Sequence, residues 1–140
     1  MKAAVVAAER GHRVTLYEAG ARLGGQARLA ELLPSRSEFG GIVENLAKEM
    51  DRAGVVVRLA TPIDVDAVIA TSPDAVILAT GAVAGAVEAE IDGAHVLDAC
   101  DVLQGATPGR NVLIADSRCD WIGLGVAELL VRAGHKVRLA

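Results

Sequence analysis

Apolar positions along this chain follow helical spacing in some stretches and strand-like runs in others, and the two alternate. Met1 to Arg10 is Ala-rich and closes at Gly11, where a helix can end with Arg10 in its last turn. Arg13 to Tyr17 alternates and stops on Glu18, the pattern of a short strand. Pro34, Ser35 and Ser37 mark a break before the next helix. From Phe39, Ile42, Val43, Leu46 and Met50 recur at three- and four-residue spacing, which predicts an amphipathic helix closing near Ala53-Gly54. Val55 to Leu59 reads as a β-branched strand, and Thr61 to Ser72 as a connection with one or two helical turns and Asp64 available as a cap. Asp74 to Ala79 (DAVILA) is a continuous apolar run between turn signals, the pattern of a strand buried on both faces. Ala94 to Leu97 reads as a weak strand, Asp98 to Gln104 as a short helix and Asn111 to Ala115 as a strand. Ile122 to Ala133 predicts a helix ending at Gly134, and Lys136 to Leu139 a final strand. Strands alternating with helices predict an α/β architecture with a mainly parallel sheet.

Chemistry concentrates where the first of these strands stops. Glu18 is followed by Gly20, then by Gly24, Gly25 and Gln26. An acid ending the second strand of a βαβ unit is where a nucleotide-binding fold holds the ribose hydroxyls. A carboxylate suits that task because it accepts hydrogen bonds from both hydroxyls of a diol. Glycines beyond it let the backbone come close to a ligand. A surface carboxylate closing a strand before a turn is the competing reading.

The chain also echoes itself. Gly11-His12-Arg13-Val14-Thr15-Leu16 is matched by Gly134-His135-Lys136-Val137-Arg138-Leu139, each after an apolar helix. The second copy has a leading strand, Asn111 to Ala115, and a strand-to-helix turn; the first begins inside its helix. By that comparison a strand and a phosphate-binding turn are missing ahead of Met1. A longer protein would supply the strand, or Asn111 to Ala115 would fill the gap beside Arg13 to Tyr17.

Composition narrows the function classes. Of 140 residues, 52% are hydrophobic, enough for a buried sheet, while aromatics at 2% leave little for base stacking. A net charge of −4 opposes a phosphate-backbone binder, so no nucleic-acid partner is expected. The longest uncharged run, Ala75 to Val87, is short for a bilayer span and contains Thr80, Gly81 and Gly85. No membrane partner and a reduced, cytoplasmic setting are therefore expected. Cys100 and Cys119 fit neither a disulfide framework nor an iron–sulfur site within this chain and read as small buried or half-buried residues. His12, His95 and His135 sit at strand edges and junctions without a matching partner and are assigned no catalysis.

With these pieces placed, the sequence resembles a known flavoenzyme family. GHRVTLYEAGARLGGQ, LLPSRSEF, DAVILATGA, DGAHVLDACDVLQG and IGLGVAELLVRAGHKVRL are similar, in this order, to the C-terminal region of the 2,4-dienoyl-CoA reductase and trimethylamine dehydrogenase family. The resemblance implies a Rossmann-like, doubly wound parallel sheet akin to the FAD and NAD(P) domains of glutathione reductase, with its first strand missing. Residues 1–104 would form the FAD- or ADP-binding domain, and residues 110–140 would start a second, NAD(P)-domain-like unit. FMN and a 4Fe-4S cluster belong in that family to a barrel domain absent from this chain, and the barrel of a longer protein is the implied partner. Glu18 matches the acid on the adenosine ribose, and Gln26 a residue lining the nucleotide site, with Gly24 and Gly25 allowing close approach. Arg36 falls where the reductases have a basic residue near the cofactor; a solvated charge at a helix start is the alternative. Ile63 lies where a backbone group meets the adenine. Ala79, Thr80 and Gly81 match the ATG turn that passes the cofactor.

Departures from the family pattern are equally informative. The first GxGxxG is absent, and the second glycine-rich turn reads Ala115-Asp116-Ser117-Arg118-Cys119-Asp120-Trp121-Ile122-Gly123. Asp116 and Asp120 stand where a dinucleotide's phosphates would lie, which opposes NAD(P) by roughly 1 kcal/mol or more. This resembles the amine dehydrogenase branch more than the NADPH-dependent reductases. Three functions compete: the FAD- or ADP-binding portion of a flavin-dependent oxidoreductase, a non-catalytic scaffold or docking fragment, and a methyltransferase. The LGGQ and ATG segments argue against the last. No catalytic residue and no metal ligand is assigned, and the chain by itself is expected to oxidise no NAD(P)H.

Overall fold

The computed structural model describes residues 1–83, 85 and 95–140. They form a mixed α/β structure in two compact units, Met1–Ala27 with Gly40–Gly81, and Arg28–Phe39 with Ala82–Ala140.

In the first unit, α1 (Lys2–Glu9) runs into β1 (Thr15–Tyr17), and most of α3 (Glu38–Arg52) leads to β2 (Val56–Arg58). β1 and β2 pair in parallel, with Leu16 opposite Val57. Their buried centre is Ala4, Val5, Met50 and Val55, with Val14, Leu16 and Val57 packed against it. Met50 has no exposed surface and Val43 is buried, so this part of the α3 stripe faces inward, whereas Ile42 of the expected stripe is 52% exposed. Next comes α4 (Val65–Thr71), whose first turn is capped as expected: Asp64 Oδ1 accepts from Ala67 N at 2.8 Å.

The second unit holds α5 (Ala99–Leu103), β3 (Asn111–Ile114), α6 (Trp121–Arg132) and β4 (Lys136–Leu139). β3 and β4 pair in parallel with Val112 opposite Val137, and Leu33, Val126 and Leu130 form the buried cluster. Gly125 opens α6 to this packing, since a Cβ there would lie 3.1 Å from a Leu33 methyl. Asp98 and Asp101 close a reciprocal capping box at the start of α5. A short helix, α2 (Gln26–Ala30), starts in the first unit and ends in the second; sequence pattern did not predict it, because Gly24 and Gly25 just before it read as a turn and no capping residue marks its start.

The internal echo is geometric as well as sequential. After α1, Gly11 N donates to Ala8 O and His12 N to Ala7 O; after α6, Gly134 N donates to Val131 O and His135 N to Leu130 O. Both glycines sit at left-handed φ, +90° and +91°, with nothing near enough to exclude a side chain. Backbone conformation is thus what selects glycine at these helix ends. The same pair of bonds follows α3, from Gly54 N to Asp51 O and Val55 N to Met50 O.

Two strand expectations fail. Asp74 to Ala79 is not a strand, and Val76, Ile77 and Leu78 are 52%, 68% and 83% exposed rather than buried. An apolar run becomes a buried strand only with ladder partners on its sides, and among the described residues the β1–β2 ladder has two strands. Asn111 to Ala115 supplies β3, which pairs with β4, while β1 pairs with β2 in a separate sheet. Of the weak strand at Ala94 to Leu97, Ala94 lies outside the described residues and residues 95–97 are not a strand.

Candidate functional site

Glu18 leaves the β1–β2 ladder and is fixed from both sides. Its N–H donates to Arg58 O at 2.9 Å, and its carbonyl accepts from Thr61 N at 2.9 Å. The side chain folds over the turn that follows: Oε1 accepts from Gly20 N at 2.8 Å. Gly20 O in turn accepts from Ala60 N at 2.8 Å, so the turn after β1 and the turn after β2 are stitched together. A half-buried carboxylate is thereby held at the C-terminal end of a parallel pair. That is the edge where open α/β sheets place ligands.

Of the other predicted residues, Arg36 belongs to the second unit and the rest, from Gly24 to Gly81, to the first. Gly24 and Gly25 lie in the turn leading to Gln26, the first residue of α2, and a Cβ at Gly25 would meet open space. Ile63 follows Thr61, which is bonded to Glu18, so its segment starts at the same sheet end. Ala79, Thr80 and Gly81 belong to the first unit and are exposed, with no strand pairing. Arg36 belongs to the second unit, where its guanidinium carbon sits 5.6 Å from the centre of the Trp121 ring. Phe39 stacks on the same indole at 5.7 Å, with the ring planes 13° apart. Such cation–π and aromatic contacts contribute about 0.5–1.5 kcal/mol each. Beside them lies a cleft of about 140 Å³ between Pro34, Arg36 and the Trp121 and Glu128 face of α6. Arg36 is therefore not a freely solvated charge. Sequence reading missed Phe39 and Trp121; the signal was their rarity, since the chain has one Phe and one Trp.

At the start of α6, Asp116 and Asp120 are committed to the backbone. Asp116 Oδ1 accepts from Arg118 N and Cys119 N, both at 3.0 Å, and Asp120 Oδ1 caps the helix through Ile122 N at 2.8 Å. Arg118 pairs with Asp120 at 3.0 Å.

No group of three His, Cys, Asp or Glu side chains suited to a metal ion occurs among the described residues. His135 Nδ1 lies 2.9 Å from Gly109 O, a contact between the segments that lead into β4 and β3. Cys100 is half-buried, and burial together with the Asp98 and Asp101 carboxylates pushes its thiol above the ordinary range. Cys119 is exposed, which corrects the expectation that both cysteines are at least half-buried. No helix among the described residues is long and apolar enough to cross a membrane.

Comparison with known proteins finds similar segments within redox enzymes. No protein-family model matches the chain. It is 39% identical to the N,N-dimethylglycine/sarcosine dehydrogenase of Chromohalobacter salexigens over 99% of its own length and 21% of that protein's. To the NADH oxidase of Thermoanaerobacter brockii it is 43% identical, over 99% of the chain and 22% of the relative. Its fold superposes on the 6-hydroxypseudooxynicotine amine oxidase of Pseudomonas geniculata N1 with a TM-score of 0.88 and 32% identity, covering 99% of the chain and 22% of that structure. The chain thus spans about one fifth of the length of the relatives it matches. It corresponds to a segment of flavin-dependent oxidoreductases. Their family is the one the sequence resembles, that of 2,4-dienoyl-CoA reductase and trimethylamine dehydrogenase.

Proposed function

We propose that the chain is the nucleotide-binding portion of a flavin-dependent oxidoreductase and holds the adenosine half of FAD or ADP. The observation that carries this reading is Glu18: a carboxylate fixed at the C-terminal end of a parallel pair, with a glycine turn beside it. One carboxylate can accept from both hydroxyls of a ribose while Gly20 N steadies it. Gly24 and Gly25 would let the backbone approach the nucleotide, with Gln26 lining the site and the backbone at Ile63 meeting the adenine. Arg36 would be a basic residue near the cofactor, and Ala79, Thr80 and Gly81 would pass beside it. FAD, when bound, would supply the redox chemistry; these residues bind and orient it and break no bond.

In this reading residues 1–104 form a Rossmann-like domain of the glutathione-reductase kind, and residues 110–140 begin a second such unit. A cytoplasmic oxidoreductase would join them to the barrel that carries FMN and a 4Fe-4S cluster. Replacing Glu18 by Ala removes charge-assisted hydrogen bonds and should weaken ADP binding by about 1–3 kcal/mol, read by calorimetry on both proteins. Equal affinities would remove Glu18 from the site. A scaffold role without nucleotide has one observation in its favour, the lack of strand pairing at Ala79 to Gly81. Absence of any ADP heat from the unaltered chain would decide for it.

A further inference from the structure

The turn between β3 and α6 has the plan on which a dinucleotide-binding unit seats its pyrophosphate, with backbone N–H groups and a helix N-terminus aimed at one spot. Here the chain's own carboxylates take those donors. Arg118 N and Cys119 N both give their hydrogen bonds to Asp116 Oδ1, and Ile122 N gives its bond to Asp120. The nearby cation is spent as well, because Arg118 Nε pairs with Asp120 Oδ2 at 3.0 Å.

Gly123 shows how closely Asp116 is seated. A Cβ on Gly123 would fall 2.7 Å from Asp116 Cγ and 3.1 Å from its Cβ, and closer still to Oδ2. The missing Cβ that would admit a phosphate to a glycine-rich turn admits a carboxylate of the same protein. Two carboxylates against one guanidinium leave the turn with net negative charge, which repels a pyrophosphate.

We infer that Asp116 is a built-in anion that fills the phosphate position of the second unit. The residues present do not fit NAD(P), and Asp116 and Asp120 together determine that this turn takes no dinucleotide. The inference concerns the second unit alone and stands whether or not Glu18 binds a nucleotide.

The test follows backbone amide shifts of Ser117 to Gly123 in the isotope-labelled chain during titration with NADH and with inorganic pyrophosphate at fixed ionic strength. Amides of Glu18 to Gln26 report the first unit separately. The unaltered chain should show no saturable shift at Ser117 to Gly123. The double variant Asp116→Ala/Asp120→Ser keeps a capping hydroxyl, empties the turn and frees Arg118. It should bind pyrophosphate there roughly tenfold tighter, or more, for each carboxylate removed. Saturable shifts in the unaltered chain, or no gain in the double variant, would overturn the inference. Where the double variant does not fold, Asp116→Asn serves: it keeps an acceptor for both N–H groups and loses the charge, and it should show a partial gain. No gain in that variant overturns the inference equally.

Discussion

Replacing Gly123 by Ala puts two opposite effects in one methyl group. In an open helix the change stabilises, because Ala exceeds Gly by about 0.8–1 kcal/mol in helix propensity. At this position the methyl meets Asp116 Cγ at 2.7 Å, well inside the roughly 3.5 Å at which carbon atoms rest in contact. The carboxylate must swing away and give up its bonds from Arg118 N and Cys119 N. Bonds to a charged acceptor contribute about 1.5–3 kcal/mol when secluded. Water replaces part of that at this exposed turn, so about 1 kcal/mol each is the working value. The losses exceed the helix gain, and Gly123→Ala should destabilise the second unit by about 1–2 kcal/mol. In an Asp116→Ala background the obstacle is gone, and the same substitution should stabilise by about 0.5–1 kcal/mol. The double-mutant cycle should therefore show a coupling of about 2 kcal/mol. Urea denaturation followed by tryptophan fluorescence measures it, since Trp121 is the single tryptophan and opens α6. A Gly123→Ala change that stabilises equally in both backgrounds would refute the seating of Asp116 against this glycine.

Two further outcomes follow from the packing and from the thiols. Met50→Ala empties the centre of the first unit and should lower its stability by about 2–5 kcal/mol, read as faster hydrogen exchange at Val5 and Val55; unchanged exchange would contradict that core. A limiting alkylating reagent at pH 7.5 should modify Cys119 well before Cys100, because Cys100 is half-buried and its raised pKa keeps less of it as thiolate; Cys100 should catch up as pH rises, and mass spectrometry showing the reverse order would contradict its environment.

Much of this structure was legible because its signals are local. The spacing of Val43, Leu46 and Met50 defined α3, Asp64 and Asp98 marked helix starts, and Gly11 and Gly134 marked the two matching helix ends. What misled was DAVILA, since its composition tells how well a segment suits a buried sheet and nothing of whether neighbouring strands are there to bury it. Glu18 was legible as a strand-ending acid, but its hold on Gly20 and the Thr61 bond depend on β2, which sequence order does not place beside β1. Asp116 was legible as a charge in the wrong place for a phosphate; that it is folded inward against Gly123 needed coordinates.

The uncovered Val76-Ile77-Leu78 run has a consequence for how the chain behaves at high concentration. Six consecutive residues from Asp74 to Ala79 carry one charge, no proline and no glycine, and they present bare backbone to solvent. Such a segment is a template for pairing with its equivalent in another molecule, the first step of cross-β growth. At neutral pH the net charge of −4 holds molecules apart. Toward the isoelectric point of about 5.3 that repulsion vanishes, and with it the main protection against precipitation.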